Sequence, residues 1–146
     1  MSIEEKQNFP TYQDSSSTEF PQNEREVSTF IKKFYKSNIS SELVGSGSKK
    51  KIGKLLQCSK ILNLSKLNSI IEYFPEELYI KVEAGTPVKK IEEELKKNKQ
   101  QLAFEPIDFG YFLNEKSNYG TAGGLVACNI SGPRRLKVGS VRDHLL

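Results

Sequence analysis

Residues 119–135 read YGTAGGLVACNISGPRR, and the reading of the fold turns on them. Gly120, Gly123 and Gly124 crowd into five positions, and the apolar run Leu125 to Ala127 follows. This is the pattern of a glycine turn opening a short helix. Such a turn lets backbone N–H groups approach a phosphate with no side chain in between, and the positive end of the helix dipole faces the ligand. Thr121 adds a hydroxyl, and Arg134 and Arg135 return close by in sequence. The alternative is a helix start packed against a strand, with glycines there for steric reasons.

A second glycine cluster lies upstream at Gly45-Ser46-Gly47-Ser48-Lys49. It follows a short strand, expected over Ser41 to Val44, as a phosphate loop should. Successive N–H groups of Gly45 to Lys49 can form an anion-binding nest. Ser46 and Ser48 supply hydroxyls, and Lys49 supplies charge. The cluster matches neither GxxxxGK[ST] nor GxGxxG, so a triphosphatase P-loop is not supported. Taken alone it reads more readily as a plain glycine-serine turn than as a phosphate loop. Two phosphate-sized cradles in one small chain suggest a ligand with two phosphates.

The 146 residues amount to about one domain. Hydrophobic residues make up 36%, enough for a modest core. No apolar run approaches the ~20 residues that span a membrane, and the polar, acidic N-terminus has no signal-peptide character. The default location is therefore the cytoplasm. Cys58 and Cys128 have no CxxC partner and read as reduced, buried thiols. A zinc site would find only His144 as an imidazole, and that lone histidine falls in an expected strand. The net charge of +4 and pI near 9.0 are weak evidence for nucleic-acid binding. Lysines far outnumber arginines, and specific readers of nucleic acid favour arginine. Lys89, Lys90, Lys96 and Lys97 also alternate with glutamates, which dilutes any basic patch. No acid–base pair of carboxylates or nucleophilic triad stands out, so no catalytic residue is assigned.

Residues 1–22 are rich in Ser, Gln, Glu and Pro and read as a disordered tail. Val27, Phe30, Ile31, Phe34 and Tyr35 fall on one helical face, which predicts an amphipathic helix over Glu24 to Lys36. Lys49-Lys50-Lys51 reads as a solvated run. Ile61 to Leu64 and Ser69 to Tyr73 read as strands joined by a polar turn. Leu78 to Ala84 alternates as a strand does, and Gly85 ends it. Thr86 is the expected cap, and Pro87 the first residue, of a helix with Val88, Ile91 and Leu95 buried and Glu92–Lys96 paired outside. Leu102 to Phe104 is expected as a strand, followed by a long loop from Glu105 to Asn118 with aromatics at Phe109, Tyr111 and Phe112. Loops of that length are often functional. Val141 to Leu146 reads as the start of a last strand.

Taken in order, these motifs resemble a known family. The GSGSK loop, ILNLSKLNSIIEY, VEAGTPVKKIEEEL, FEPIDFG, the TAGG turn, NISGPRR and VGSVRD follow one another. This order resembles the FAD-binding domain of the p-cresol methylhydroxylase and vanillyl-alcohol oxidase superfamily. The likeness is narrowest to the smaller flavin subunit of bacterial glycolate oxidase. It covers about Gln22 to Leu146. It implies an α+β fold, the FAD-binding PCMH-type fold: a first α/β subdomain and the start of a second within residues 23–146.

The resemblance also places roles. The FAD pyrophosphate would lie between Gly45, Ser46, Gly47, Ser48 and Lys49 on one side and Thr121, Gly123 and Gly124 on the other. Gly120, Pro106, Gly132, Gly139 and Asp143 match other recurring positions around the cofactor. Arg134 and Arg135 would touch FAD, the substrate side or a partner subunit. Many relatives tether the flavin through a histidine after the first glycine pair. Ser48 and Lys49 stand there instead, so non-covalent FAD is expected. Relatives run well past this point into a substrate domain, which implies a C-terminally incomplete domain, inactive in isolation. The whole enzyme would oxidise a glycolate-like 2-hydroxy acid to a 2-oxo acid. Its partners would be a larger flavin subunit and an iron–sulfur subunit, with a peripheral place at the inner membrane. Two rivals stand beside this: an FAD-binding electron-transfer subunit without turnover of its own, and a basic nucleic-acid module. The preferred reading has no nucleic-acid partner and no metal.

Overall fold

A computed structural model of the chain describes residues 17–53, 56–113 and 120–146. The expected tail needs correcting at its end. Ser17–Glu19 form a strand, β1, in parallel register with β3 (Lys60–Asn63), pairing Thr18 with Ile61. Lys60 reaches back to bond the Ser17 hydroxyl, and Pro21 just beyond is fully buried. The rest of the tail, residues 1–16, lies outside the described residues.

Helix α1 spans Glu24–Lys36, as expected. The Asn23 side chain caps it, accepting from the Glu26 N–H at 2.9 Å. Glu24 and Glu26 in the first turn and Lys33 and Lys36 in the last suit its dipole. Its apolar stripe is narrower than its sequence spacing predicts: Phe34 is buried against Phe30, while Ile31 and Tyr35 are exposed. Strand β2 (Ser41–Val44) also keeps its expected bounds and pairs in parallel with β3, Leu43 opposite Leu62. The sheet order is β1-β3-β2. The central position of β3 explains its two consecutive buried residues, Ile61 and Leu62.

The two strands expected to be joined by a polar turn belong to different sheets. A 3-10 turn, Leu64–Lys66, redirects the chain after β3. Strand β4 (Ile70–Phe74) then pairs antiparallel with β5 (Tyr79–Val82) around Pro75–Glu77. Gly85 follows. A Cβ there would lie 2.6 Å from the Leu67 carbonyl and closer still to that of Leu64. Thr86 is not a helix cap: it is fully buried, and its hydroxyl donates to the Ser69 carbonyl at 3.1 Å. Helix α2 (Val88–Lys97) begins behind Pro87 and buries Val88, Ile91 and Leu95, the expected stripe. Its surface carries a Glu94–Lys97 pair at 2.6 Å, spaced i,i+3 where the sequence suggested Glu92–Lys96.

Leu102 to Phe104 is not a strand. It crosses as irregular chain, and Leu102 and Phe104 pack on the cluster Val88, Leu125 and Val141. The long loop that follows contains a short helix, α3 (Phe109–Phe112); its last part, through Asn118, includes residues outside those described. Helix α4 (Ala122–Cys128) starts at the glycine turn and ends at Asn129 in the left-handed conformation. Its last residue, Cys128, is exposed and Cys58 is half-buried, so the two free thiols are not the buried pair expected. A further short helix, α5 (Arg135–Val138), follows Pro133. Val141 to Leu146 does not begin a strand: Val141–His144 is a 3-10 turn, and Val141 is its core anchor. The mixed helix-and-strand architecture is the expected α+β class.

Candidate functional site

Parallel strands leave ligand space outside their carboxyl ends, and β2 runs out at Val44 into the Gly45–Lys49 loop. Two consecutive turns shape this loop. The Lys50 N–H donates to the Gly47 carbonyl at 3.1 Å and the Ile52 N–H to that of Lys49 at 3.0 Å. Gly47 sits at φ +74°, where a side chain is disfavoured.

The second cluster meets this loop directly. A Cβ on Gly45 would lie 3.0 Å from Thr121 Cγ2 and nearer to its Oγ1. One on Gly120, at φ +88°, would lie 2.7 Å from Ser48 Oγ and 3.2 Å from Lys49 Nζ. Glycine in both places lets the two backbones close on each other, and Ser48 and Lys49 face the space a side chain at 120 would fill. Lys49 Nζ also bonds Ser48 Oγ at 3.3 Å and lies 5.0 Å from the centre of the Phe109 ring. The lysine run is therefore divided. Lys49 is half-buried and turned inward, whereas the exposed Lys50 approaches Glu42 at 3.9 Å.

The glycine turn contributes differently from the sequence expectation. The Ala122 N–H donates to the Thr86 carbonyl and the Gly123 N–H to the Ala84 carbonyl, both at 2.8 Å. The Gly124 N–H faces Thr121 Oγ1 at 3.4 Å. The first-turn donors of α4 thus have partners within the protein. Gly123 is small because Ala84 presses on it: an added Cβ would meet the Ala84 Cβ and carbonyl oxygen at 3.0 Å. A Pro87–Thr121 bridge and the bond from Val88 N–H to the Gly120 carbonyl, 3.1 Å, fix the turn to the start of α2. Packing on Ala84 thus accounts for the glycine at 123. Ser48 and Lys49 lie on the Gly45–Lys49 side, and Gly120 and Thr121 face that loop.

The other expected positions gather in two groups. Pro106 is half-buried next to Glu105, whose backbone carbonyl accepts from Gly132 N–H and whose carboxylate accepts from Arg134 N–H, each at 3.1 Å. Gly132 is buried against that carboxylate. Gly139, at φ +86°, precedes Ser140, and Asp143 accepts from the Ser140 N–H at 2.7 Å and its hydroxyl at 2.8 Å. These two bonds hold the Asp143 carboxyl below its ordinary value, with smaller help from Arg142 and His144. Asp143 is thus the acid of a capping box. Val141 N–H to Ser131 Oγ, 3.2 Å, and Arg142 N–H to Asn129 Oδ1, 3.0 Å, tie this turn to the end of α4. Glu105, Asn129 and Ser131 make the bonds that tie these turns together. They and Phe109 fall within the FEPIDFG and NISGPRR stretches, but the sequence alone gives none of them a role at the site. Among the described residues no group of His, Cys, Asp or Glu could hold a metal, and no helix is long and apolar enough to cross a membrane.

Comparison with known proteins accords with this geometry. The family model described as "FAD binding domain" matches residues 17–146. Glycolate oxidase subunit GlcE of Escherichia coli (strain K12) is 38% identical over 102 residues, 70% of this chain and 27% of that protein. D-2-hydroxyglutarate dehydrogenase of the same organism is 34% identical over 98 residues, 64% of this chain and 8% of that protein. The chain thus spans about a quarter of the first relative's length and under a tenth of the second's. Among solved structures, alkyldihydroxyacetonephosphate synthase matches with a TM-score of 0.63 at 19% identity, over 86% of this chain and 24% of that one. GilR, an oxidoreductase of gilvocarcin biosynthesis, matches with a TM-score of 0.64 at 19% identity, over 88% and 24%. These two likenesses speak to the fold.

Proposed function

Because this chain belongs to the FAD binding domain family, with FAD as the cofactor, we propose that it forms the pyrophosphate-holding part of a flavin-dependent enzyme oxidising a small 2-hydroxy acid to a 2-oxo acid. The observation that carries this is the meeting of the two loops. Gly45 abuts Thr121, and Ser48 and Lys49 face Gly120, so one narrow cradle has a cation and a hydroxyl on one wall and bare backbone on the other. The residues fit a dinucleotide's diphosphate in kind, because a hydroxyl and a cation converge on bare backbone at Gly120, where a Cβ would strike both.

In this reading Lys49 balances the diphosphate charge and Ser48 donates its hydroxyl. Gly47 gives the loop its turn, so that its amides line the cradle. Thr121, fixed by the Pro87 bridge, keeps the opposing wall in place. Bound FAD would supply the redox chemistry, and the protein would supply orientation and electrostatics. The 2-hydroxy acid class rests on the two named relatives, whose substrates glycolate and D-2-hydroxyglutarate share that group. The first relative's name makes it one subunit of a complex; in this reading the whole protein works beside a larger flavin subunit and an iron–sulfur subunit, as the family resemblance of its motifs implies. Ser48 and Lys49 occupy the place of a tethering histidine, so the flavin is held without a covalent bond.

The test is direct. The purified chain should take up FAD with quenching of flavin fluorescence, and acid precipitation should release all of it. A folded, colourless chain that ignores added FAD refutes the cradle, and yellow colour remaining in the acid pellet refutes non-covalent binding. Reduction of the bound flavin by glycolate in the whole enzyme, and not by an acid lacking the 2-hydroxyl, tests the substrate class.

A further inference from the structure

We propose that Phe109 is the positioning residue for Lys49: its ring holds the ammonium group at the mouth of the cradle, where the cofactor diphosphate meets it. This rests on the FAD reading above and adds to it a residue that no phosphate motif contains.

Lys49 Nζ lies 5.0 Å from the Phe109 ring centre, inside the roughly 6 Å reach of a cation–π contact. It is also 3.3 Å from Ser48 Oγ and would be 3.2 Å from a Cβ on Gly120. A lysine stem has many rotamers, and the ring selects the one that points into the cradle. The chemistry of the partner matters. A carboxylate in the ring's place would neutralise the lysine and repel a phosphate. An aromatic face attracts the cation and leaves its full formal charge for the ligand. Lys50, which approaches Glu42, shows the other arrangement one residue away.

Phe109 is itself held. It opens α3, whose cap Asp108 accepts from the Gly110 N–H at 2.9 Å and the Tyr111 N–H at 3.4 Å. Tyr111 and Phe112 are 80% and 71% exposed, while Phe109 is half-buried. Of the three aromatics in this loop, the one at the lysine is the one turned inward.

The experiment uses the full chain as wild type, Phe109→Leu, Phe109→Trp, Lys49→Gln and the Phe109→Leu/Lys49→Gln double variant. Binding of FAD and of inorganic pyrophosphate is titrated at low and high salt. The Lys49 side-chain methylene shifts are followed by NMR without ligand. We expect upfield ring-current shifts at Lys49 in wild type and their loss in Phe109→Leu. FAD binding should weaken by about two- to fivefold in Phe109→Leu, with no further loss when Lys49 is already Gln. Phe109→Trp should keep wild-type affinity, and salt dependence should be shallower wherever Lys49 is lost or released. Equal losses from Phe109→Leu with and without Lys49, or Lys49 shifts indifferent to residue 109, overturn the proposal. Pyrophosphate separates the two readings. If it binds in a Phe109-dependent way while FAD does not bind, the flavin reading falls and this proposal stands. If both ligands bind and ignore Phe109, this proposal alone falls.

Discussion

One methyl group at position 45 tests whether the two loops share a wall. In Gly45→Ala the new Cβ would come 3.0 Å from Thr121 Cγ2 and 3.2 Å from its Cβ, with Oγ1 nearer still. Thr121 has little room to retreat, since it is buried and its backbone is bridged to Pro87. Overpacking of this kind costs about 1–3 kcal/mol. For a chain of this size each kcal/mol lowers Tm by roughly 3–4 °C, so a fall of several degrees is expected. Displacing Gly45 also moves the lysine wall of the cradle, and a penalty of about 1.4 kcal/mol corresponds to tenfold weaker FAD binding. Thr121→Ala provides the control. It forfeits the helix cap, worth about 1 kcal/mol, but removes Oγ1 and Cγ2, the atoms most in the way. Combined with Gly45→Ala, it should cost about 1–2 kcal/mol less than the two single changes summed. Thermal unfolding of the four proteins, with FAD titrations alongside, measures this. Strict additivity, or an unchanged Tm in Gly45→Ala, would refute the contact between the loops.

Other predictions concern the frame around the cradle. Gly85→Ala drives a methyl onto the Leu64 and Leu67 carbonyls. Backbone cannot swing aside, so the cost should be about 3 kcal/mol or more, read as a lower urea midpoint; an unchanged midpoint would contradict the packing. Asp143, whose carboxyl is held low chiefly by the Ser140 bonds, adds stability above its unfolded-state pKa and loses it as pH falls through its lower folded value. The stability difference between wild type and Asp143→Asn should therefore be steady at neutral pH and shrink below about pH 4. A difference that grows on acidification would reverse the assigned role.

Much of the frame was legible because local chemistry and tertiary context agreed. Glu24–Lys36 carries its cap, its charge gradient and its apolar spacing in one segment, and its bounds hold. Val88, Ile91 and Leu95 likewise mark their own face of α2. The misreadings share a cause: the deciding partner is far away in sequence. Ser17–Glu19 is a strand only because β3 lies beside it, and no alternation within three residues could say so. Leu102 to Phe104 has strand composition but pairs with no strand among the described residues, and Leu102 and Phe104 pack on the Val88–Leu125–Val141 cluster instead. Thr86 suits a cap by type, yet the Ser69 carbonyl takes its hydroxyl. Val141 to Leu146 is a turn for a local reason: Ser140 and Asp143 form a capping box, a pattern that the strand reading of this segment does not include. Glycine spacing located both loops but not the partners of the Ala122 and Gly123 N–H groups, because those depend on where Ala84 and Thr86 direct their carbonyls.

The bonds from Ala122 and Gly123 to those two carbonyls exist before any ligand arrives. The backbone of the Thr121 wall has therefore already lost its conformational entropy when the chain folds. Fixing a residue costs about 1–2 kcal/mol, and on this wall none of that cost is left for cofactor binding. The Gly45–Lys49 loop is fixed in a different way, by its two turn bonds and by the packing of Gly45 on Thr121. If the cradle holds the diphosphate as proposed, exchanges at Ser48 or Lys49, whose side chains face Gly120, would tune how tightly the flavin is held, whereas exchanges at Gly45 would disturb the fold as well.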